Sequence, residues 1–569
     1  MMSQGIDASR WWHVPQERST GFANQCRETK SPSRGRQSSG APALISGTGS
    51  SPRSIKVIDT MNSSYSTHRW NQYGWFCAYL YKRGIFSLLV AALSLGLPLA
   101  AAPAELPSTP AGKVLAGYLE ALNSGDKDKL EAFVKAHRPD RPDALDRMLD
   151  LRWNTGGFDL YSIESSQALN IQAVLHEREG NGSYNRMSVT VSDGNPAVIT
   201  KISLEVIPPP AGAPVPARLT QRAAAAAWKA EIDKAASTGK FSGVWLWAKN
   251  GKATTSGARG KSDRETGIDN TLNTRFRIGS MNKMFTAVAT LQLVERGKLS
   301  LEDTIGKILP DYPNANVASK VKVRHLLSHT GGTGDIFGAE FEARRLELKT
   351  LQDYVKLYGE RDLQFEPGTK WEYSNYGFLL LGVLIEKVSG KSYYDFVAEN
   401  IYKAARMTNS GSEPESVEVA NRSKGYMRDQ FEMVSNEPTL PWRGTSAGGG
   451  YTTAADLMEF AGALMSNKLL KAETLAEATR PQFTTGAYGF GFQIGRPDEA
   501  RTYGHGGGAP GMNAILRVYP ESRQSVIVLC NLDSPSASRM GTKPLTRNPV
   551  ISGSLIRSAM AQILFMGLR

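Results

Sequence analysis

The sequence predicts an α/β (α+β) sandwich, an antiparallel sheet carrying a helical subdomain, preceded by a small α+β domain of cone-like shape. Three observations carry this. A strand-like run, Thr274 to Ile278, meets Gly279, and a helix follows from Ser280 to Arg296, closed by Gly297. The segment around it begins and ends in strands. Phe241 to Ala248 and a partner after the Asn250-Gly251 turn stand at one end, Asn513 to Tyr519 and Gln524 to Leu529 at the other, with helices and loops between. Ahead of that segment, helical periods give way to residues alternating at the period of a strand.

In chain order, residues 1–81 are rich in Ser, Gly, Arg and Gln without periodicity, as in a disordered or over-extended N-terminus, with Met61 an alternative start. Lys82-Arg83, the apolar run Gly84 to Leu99 and Ala102-Pro103-Ala104 make residues 82–104 a secretory signal peptide. The run is short for a span of about 20 residues, so an exported protein, periplasmic or extracellular, is expected, and membrane association only through an uncleaved signal segment.

Residues 105–207 form the small domain. Ala111 to Asn123 is an amphipathic helix with Val114, Leu115, Tyr118, Leu119 and Leu122 inward, and Asp126 caps a second. Strands follow at Leu169 to Leu175, Met187 to Val191 and Ile202 to Val206. This segment resembles the nuclear-transport-factor-2-like fold and holds no catalytic set. Residues 208–217 are a Pro-rich linker, stiff and extended, which predicts a separable first domain. The main domain spans 218–533. A polar stretch to Asn548 and a terminal apolar helix complete a tail, 534–569, that nothing in the pattern explains.

The net charge of +13 gives no nucleic-acid partner: more than half falls before residue 105 and the rest forms no long basic run. Of Cys26, Cys77 and Cys530, only Cys530 follows the signal segment, so neither a disulfide framework nor a C-x-x-C metal site can form.

Ser280 would stand at a helix start, where free N–H groups favour developing negative charge. Lys283, three residues on, shares its face and could take its proton if burial brought an ammonium pKa of about 10.4 to about 7. The one-face apolar period Met284, Phe285, Val288, Leu291 and Leu293 buries the helix. A second motif, Tyr373-Ser374-Asn375, follows the Pro367-Gly368 turn and precedes the helix Phe378 to Val388. Its phenol can relay a proton and its amide can hold a lysine and a substrate carbonyl. A third, His505-Gly506-Gly507-Gly508, precedes the strand Asn513 to Tyr519, where glycines let substrate lie against a strand edge.

S-x-x-K also occurs at Ser124, Ser237 and Ser319, and Y-x-N at Tyr312. The ordered set is what is specific. Ser280-x-x-Lys283, Tyr373-x-Asn375 and His505-Gly506-Gly507, with His325 to Gly332 and Ser446 to Leu457, resemble the serine β-lactamase-related family: class C β-lactamases, D-Ala-D-Ala peptidases and esterases. The resemblance implies a β-lactamase/transpeptidase-like fold over residues 219–533 and needs no cofactor or metal. It implies an acylated Ser280, a proton-transfer pair Lys283 and Tyr373, an orienting Asn375, and oxyanion donors in the backbone N–H groups of Ser280 and Gly508. His505 stands where β-lactamases usually have lysine. With an ordinary pKa near 6.5 it would be neutral at pH 7 and gain charge toward about pH 5.5, favouring neutral esters and admitting carboxylates only in acid.

The function expected is thus an exported serine hydrolase acting on a small-molecule ester, amide or peptide. Its rivals are a penicillin-binding or sensor-like protein that is acylated without turnover, and an α/β-hydrolase-type esterase using Ser446 of Gly444-Thr445-Ser446-Ala447-Gly448. That elbow lacks the strand before and the helix after it. His325 and His329, four apart, lack the Glu of a zinc helix and a third ligand. The pattern leaves the oligomeric state open.

Overall fold

Three helices, α1 (Pro110–Ser124), α2 (Lys127–His137) and α3 (Ala144–Thr155), precede an antiparallel meander, β1 (Phe158–Ser166), β2 (Asn170–Glu177), β3 (Tyr184–Val191) and β4 (Ile199–Ile207). The computed structural model describes residues 105–179, 182–214, 219–429, 432–484, 487–495 and 501–546. The N-terminal leader, the signal segment, the end of the linker and the terminal apolar helix lie outside them. Thr109 caps α1, accepting from Gly112 N, and Asp126 caps α2, accepting from Lys129 N. The apolar face of α1 packs on Ile171, Ala173 and Leu175 of β2 and Met187 and Val189 of β3. The helix α3 and the strand β1 were absent from the sequence pattern: β1 is mostly exposed and interrupted by two irregularities in its pairing with β2, so it lacks a clean alternation.

The main domain opens with α4 (Gln221–Ser237), capped by Thr220. Its sheet takes β5 (Gly243–Lys249) and β6 (Lys252–Arg259) from the start of the domain. β11 (Gln493–Ile494), β12 (Tyr503–Ala509), β13 (Met512–Tyr519) and β14 (Gln524–Cys530) come from its end. The order is β11-β12-β13-β14-β5-β6, antiparallel throughout. Both faces of β5 are buried, as a central strand between two helical layers requires. Trp245, Trp247, Val526 and Val528 meet α4 on one face, while Val244, Leu246, Ile527 and Leu529 meet the helical subdomain on the other.

Between β6 and β11 lie α5 (Asn282–Glu295), α6 (Asn375–Ser389), α7 (Ala454–Met465) and the short strands β7 (Phe276–Arg277), β8 (Tyr426–Asp429), β9 (Glu432–Ser435) and β10 (Tyr451–Thr452). The one-face burial expected of α5 is corrected: every residue from Asn282 to Leu293 is buried, because the helix runs through the middle of the domain. The polar stretch after Asp533 also has a place. It is α8 (Ser536–Thr546), whose Ala537 and Met540 pack with α4, and Trp228 Nε1 donates to Met540 O at 2.8 Å. The hydrolase fold therefore continues past residue 533. Its buried residues are mostly polar or small, Ser536, Ala537, Ser538 and Arg539 beside Met540, which apolar periodicity does not register.

The small domain touches the main one directly. Arg428 pairs with Asp150, Lys240 pairs with Glu179, and Arg539 donates to Asn154 O. Trp153 receives both Lys240 and Arg428 against its ring, 5.7 and 5.6 Å from its centre.

Candidate active site

Ser280 occupies a single 3₁₀ turn, Gly279–Met281, between β7 and α5. Gly279 has φ +51°, the left-handed region that suits glycine. The strand β12 presses against this turn: a Cβ on Gly507 would stand 1.8 Å from Ile278 O, and one on Gly279 would stand 3.1 Å from Gly508 N. The Gly508 amide thus borders Ser280, where the sequence places the second oxyanion donor. From the other side, β10 pairs with β7, and Gly449 N donates to Gly279 O at 3.1 Å.

Lys283 is fully buried one turn into the helix. Its Nζ lies 3.2 Å from Ser280 Oγ, 2.6 Å from Asn375 Oδ1 and 2.5 Å from Ala447 O. Burial pushes its pKa well below the ordinary lysine range, to about 7, opposed by the carboxylate of Asp335. The Tyr373 phenol hydrogen-bonds Ser280, and its ring centre is 4.6 Å from Lys283 Nζ. Burial raises the phenol far above its ordinary value, so it stays protonated. Asn375 is the first residue of α6, which Ser374 caps by accepting from Gly377 N at 2.9 Å. The Asn375 amide faces two ways: Oδ1 accepts from Lys283, and Nδ2 donates to both carboxylate oxygens of Asp335 at 2.9 and 3.1 Å.

His505 needs a correction. Its side chain is 1% exposed, Nε2 lies 2.9 Å from Tyr488 Oη, and Nδ1 lies 2.5 Å from Gly506 O. Burial, with Lys283 and Arg517 nearby, pushes its pKa down to about 3. It therefore gains no charge between pH 7 and 5.5 and offers carboxylates no cation there. The backbone of β12 runs on from it: Gly506 N is held by Gln493 Oε1 at 3.1 Å, Gly507 closes on the Ser280 turn, and Gly508 follows.

Ser446 is buried beneath α6, beside Gly382, its hydroxyl without a hydrogen-bond partner. It lies in a tight turn in which Thr445 N donates to Gly448 O at 2.6 Å, and what the turn offers the site is the Ala447 carbonyl. Nothing in an elbow of this kind would activate Ser446, and the α/β-hydrolase geometry is absent from it. His325 accepts from Lys322 N through Nδ1. His329 is buried, accepts from Ser374 N through Nδ1 at 3.1 Å and packs on the Tyr373 ring at 4.3 Å. Among the described residues no cluster of His, Cys, Asp or Glu is placed to hold a metal ion.

The sequence pattern missed three contributors: Asp335, the Ala447 carbonyl and His329. The only signal for the first two was their position inside or just after the stretches His325 to Gly332 and Ser446 to Leu457. A backbone carbonyl leaves no mark on residue identity, and a lone Asp in a glycine-rich loop reads as a turn.

An antiparallel sheet with a helical subdomain and a Ser-x-x-Lys turn facing a Tyr-x-Asn loop define a serine-hydrolase architecture of the β-lactamase type. The family model described as Beta-lactamase matches residues 224–548, and the chain belongs to that family. PbpX of Bacillus subtilis (strain 168) is 30% identical over 292 residues, 51% of this chain and 70% of that protein. Penicillin-binding protein 4* of the same organism is 31% identical over 283 residues, 46% of this chain and 61% of that one. A crystal structure of a penicillin binding protein from Bacillus halodurans is similar with a TM-score of 0.50 and 32% identity, over 56% of this chain and 98% of that one.

Proposed function

We propose that the chain hydrolyses an ester or amide through an acyl-enzyme on Ser280. One observation supports this above the others: the partners of Lys283. Asn375 Oδ1 and Ala447 O can only accept. A neutral amine gives one hydrogen to each and is left with its lone pair facing its third partner, the Ser280 hydroxyl. The depressed pKa supplies that neutral form near pH 7.

The steps follow from this placement. Ser280 Oγ attacks the carbonyl carbon as its proton passes to Lys283 Nζ. The N–H groups of Ser280 and Gly508 receive the oxyanion, worth about 3–4 kcal/mol per donor. The Tyr373 phenol, bonded to Ser280, passes a proton to the leaving group and is refilled from Lys283. Water then attacks the acyl carbon along the reverse proton path. A neutral His505 makes the strand edge a poor seat for a substrate carboxylate, so esters and amides are favoured over β-lactams. The signal-like segment before residue 105 supports export.

The test is activity-based labelling with a fluorophosphonate, followed by mass mapping. The label is expected on Ser280. Ser280→Ala abolishes both labelling and turnover of p-nitrophenyl acetate, whereas Ser446→Ala keeps both. Label on Ser446 refutes the mechanism.

A further inference from the structure

Asn513 carries a buried side-chain amide that the hydrolytic steps leave unused. It stands second in β13, opposite Gly508 of β12, and is 2% exposed. Both ends of the amide are engaged. Oδ1 accepts from Ala537 N at 2.7 Å and Ser538 N at 2.9 Å, two amides in the first turn of α8 that no carbonyl within the helix can satisfy. Nδ2 donates to Gly507 O at 2.8 Å and to Ser534 Oγ at 2.9 Å. A backbone N–H only donates and a carbonyl only accepts, so these partners fix which end of the amide is oxygen.

Gly507 O matters through the peptide it belongs to. A trans peptide directs its C=O and N–H to opposite sides, and the N–H of the Gly507–Gly508 peptide is that of Gly508, the candidate oxyanion donor. With Gly507 O turned toward Asn513 and β13, Gly508 N faces the other edge of β12, where a Cβ on Gly279 of the Ser280 turn would stand 3.1 Å from it. The alternation along the strand agrees. Gly506 N is held on that edge by Gln493 Oε1 of β11 at 3.1 Å, and the N–H two residues on points the same way.

Side chains do not stiffen this peptide. It joins two glycines, so turning it over and taking Gly508 to positive φ meets no Cβ. Gly507 cannot be exchanged for a stiffer residue, because its Cβ would meet Ile278 O. The ladder holds Gly507 opposite Ala514 but ends two residues on, at Ala509 and Met512. The bond from Asn513 is the contact that ties this peptide to the body of the domain, through α8.

We propose that Asn513 is a positioning residue for the oxyanion hole. By holding the Gly507 carbonyl it keeps the Gly508 N–H directed at the acyl oxygen, and through Oδ1 it seats that peptide on the N-terminus of α8. This rests on the hydrolase mechanism above and adds the residue that keeps its second oxyanion donor in place.

Asn513→Asp separates the two ends of this amide. A carboxylate still accepts from Ala537 N and Ser538 N, at a helix N-terminus that suits negative charge, but has no hydrogen for Gly507 O. Asn513→Ala removes both ends. Each variant of the full chain is compared with the natural chain by thermal unfolding and by steady-state turnover of p-nitrophenyl acetate. Asn513→Asp is expected to keep a higher Tm than Asn513→Ala and yet to lose about 100-fold or more in kcat, as the loss of an oxyanion donor does. KM should stay within about threefold, because acylation and deacylation both pass through an oxyanion. A merely structural amide gives the opposite pattern, with kcat following Tm and Asn513→Asp the more active variant. Should Asn513→Ala fail to fold, Asn513→Asp decides alone. A kcat for Asn513→Asp within about threefold of the natural chain overturns the assignment and leaves the hydrolase mechanism standing. If the natural chain shows neither turnover nor a label on Ser280, that mechanism fails and the assignment with it.

Discussion

Lys283 Nζ donates to the carbonyl oxygen of Ala447 at 2.5 Å, and with it the Thr445–Gly448 turn becomes part of the candidate base. A carbonyl and an amide oxygen fix two of the three positions around the nitrogen, so protonation state and direction of attack are set together. Were the amine held by one acceptor, its lone pair could rotate away from Ser280.

A pH profile checks this. Since the base must be unprotonated, kcat/KM for a neutral ester is expected to rise with pH through an apparent pKa near 7, following the depressed Lys283. Lys283→Met should lower kcat/KM by a factor of about 1,000 or more, with Ser280 still present. A profile flat from pH 5.5 to 8.5 would exclude Lys283 as the base.

Two neighbouring glycines on β12 give a sharper test. A Cβ at Gly507 would stand 1.8 Å from the Ile278 carbonyl oxygen and 3.1 Å from Met281 N, so it must push the strand from the Ser280 turn. At Gly506 the nearest atoms would be 3.7 and 3.8 Å away, an ordinary contact. Gly507→Ala is expected to cost about 100-fold or more in kcat, the loss of an oxyanion donor. Gly506→Ala should fall within about threefold of the natural chain and within about 1 kcal/mol in stability. Equal effects would show that the strand does not close on Ser280.

Much of this was legible in the residues because the reacting groups are side chains with fixed spacing. Ser280 and Lys283 share a helix face, and Tyr373 and Asn375 bracket the cap of α6, so their order along the chain pointed to one site. The sheet was legible too, since β5, β13 and β14 are apolar runs set off by turn residues. What stayed hidden acts through the backbone or through burial. Ala447 contributes only its carbonyl, and Asp335 sits in a loop without period. From the sequence His505 carries the pKa of a solvated imidazole, because nothing in the residue order shows that Tyr488 covers it. α8 reads as a tail in the sequence because only Ala537 and Met540 of its buried residues are apolar, beside Ser536, Ser538 and Arg539.

The buried imidazoles make a prediction about acid stability. His505 has its folded pKa lowered to about 3, so between about pH 3 and 6.5 the unfolded chain binds a proton there that the folded chain refuses, and His329, also pushed down by burial, acts in the same direction. The stability they contribute is complete above about pH 6.5 and is lost as pH falls, by about 2 kcal/mol at pH 5 for His505. The Tm should therefore drop between pH 6.5 and 5, and His505→Gln should flatten that slope whatever it does to the Tm at pH 7. A slope unaltered by the substitution would mean that His505 titrates in the fold.

The last prediction concerns the small domain. A Pro-rich linker suggests independence, but Arg428 ties the two domains together at a sensitive place. Its side chain pairs with Asp150 and lies against Trp153. Its backbone N–H donates to Asp533 Oδ2 at 2.6 Å, and Asp533 Oδ1 accepts from Gly511 N at 2.7 Å. Gly511, with φ +68°, makes the turn between β12 and β13, and so positions the strand that carries Gly507 and Gly508. Removing the small domain's side of this chain should loosen the hairpin without touching the nucleophile. The double variant Asp150→Ala, Trp153→Ala is expected to lose about 1–2 kcal/mol of stability, the sum of an ion pair and a cation–π contact. It should lower kcat more than it raises KM, since the oxyanion donors are used in the transition state. Thermal unfolding and steady-state kinetics on a neutral ester measure both. If the double variant keeps its Tm and its kcat, the small domain gives β12 no support and the linker alone describes its attachment.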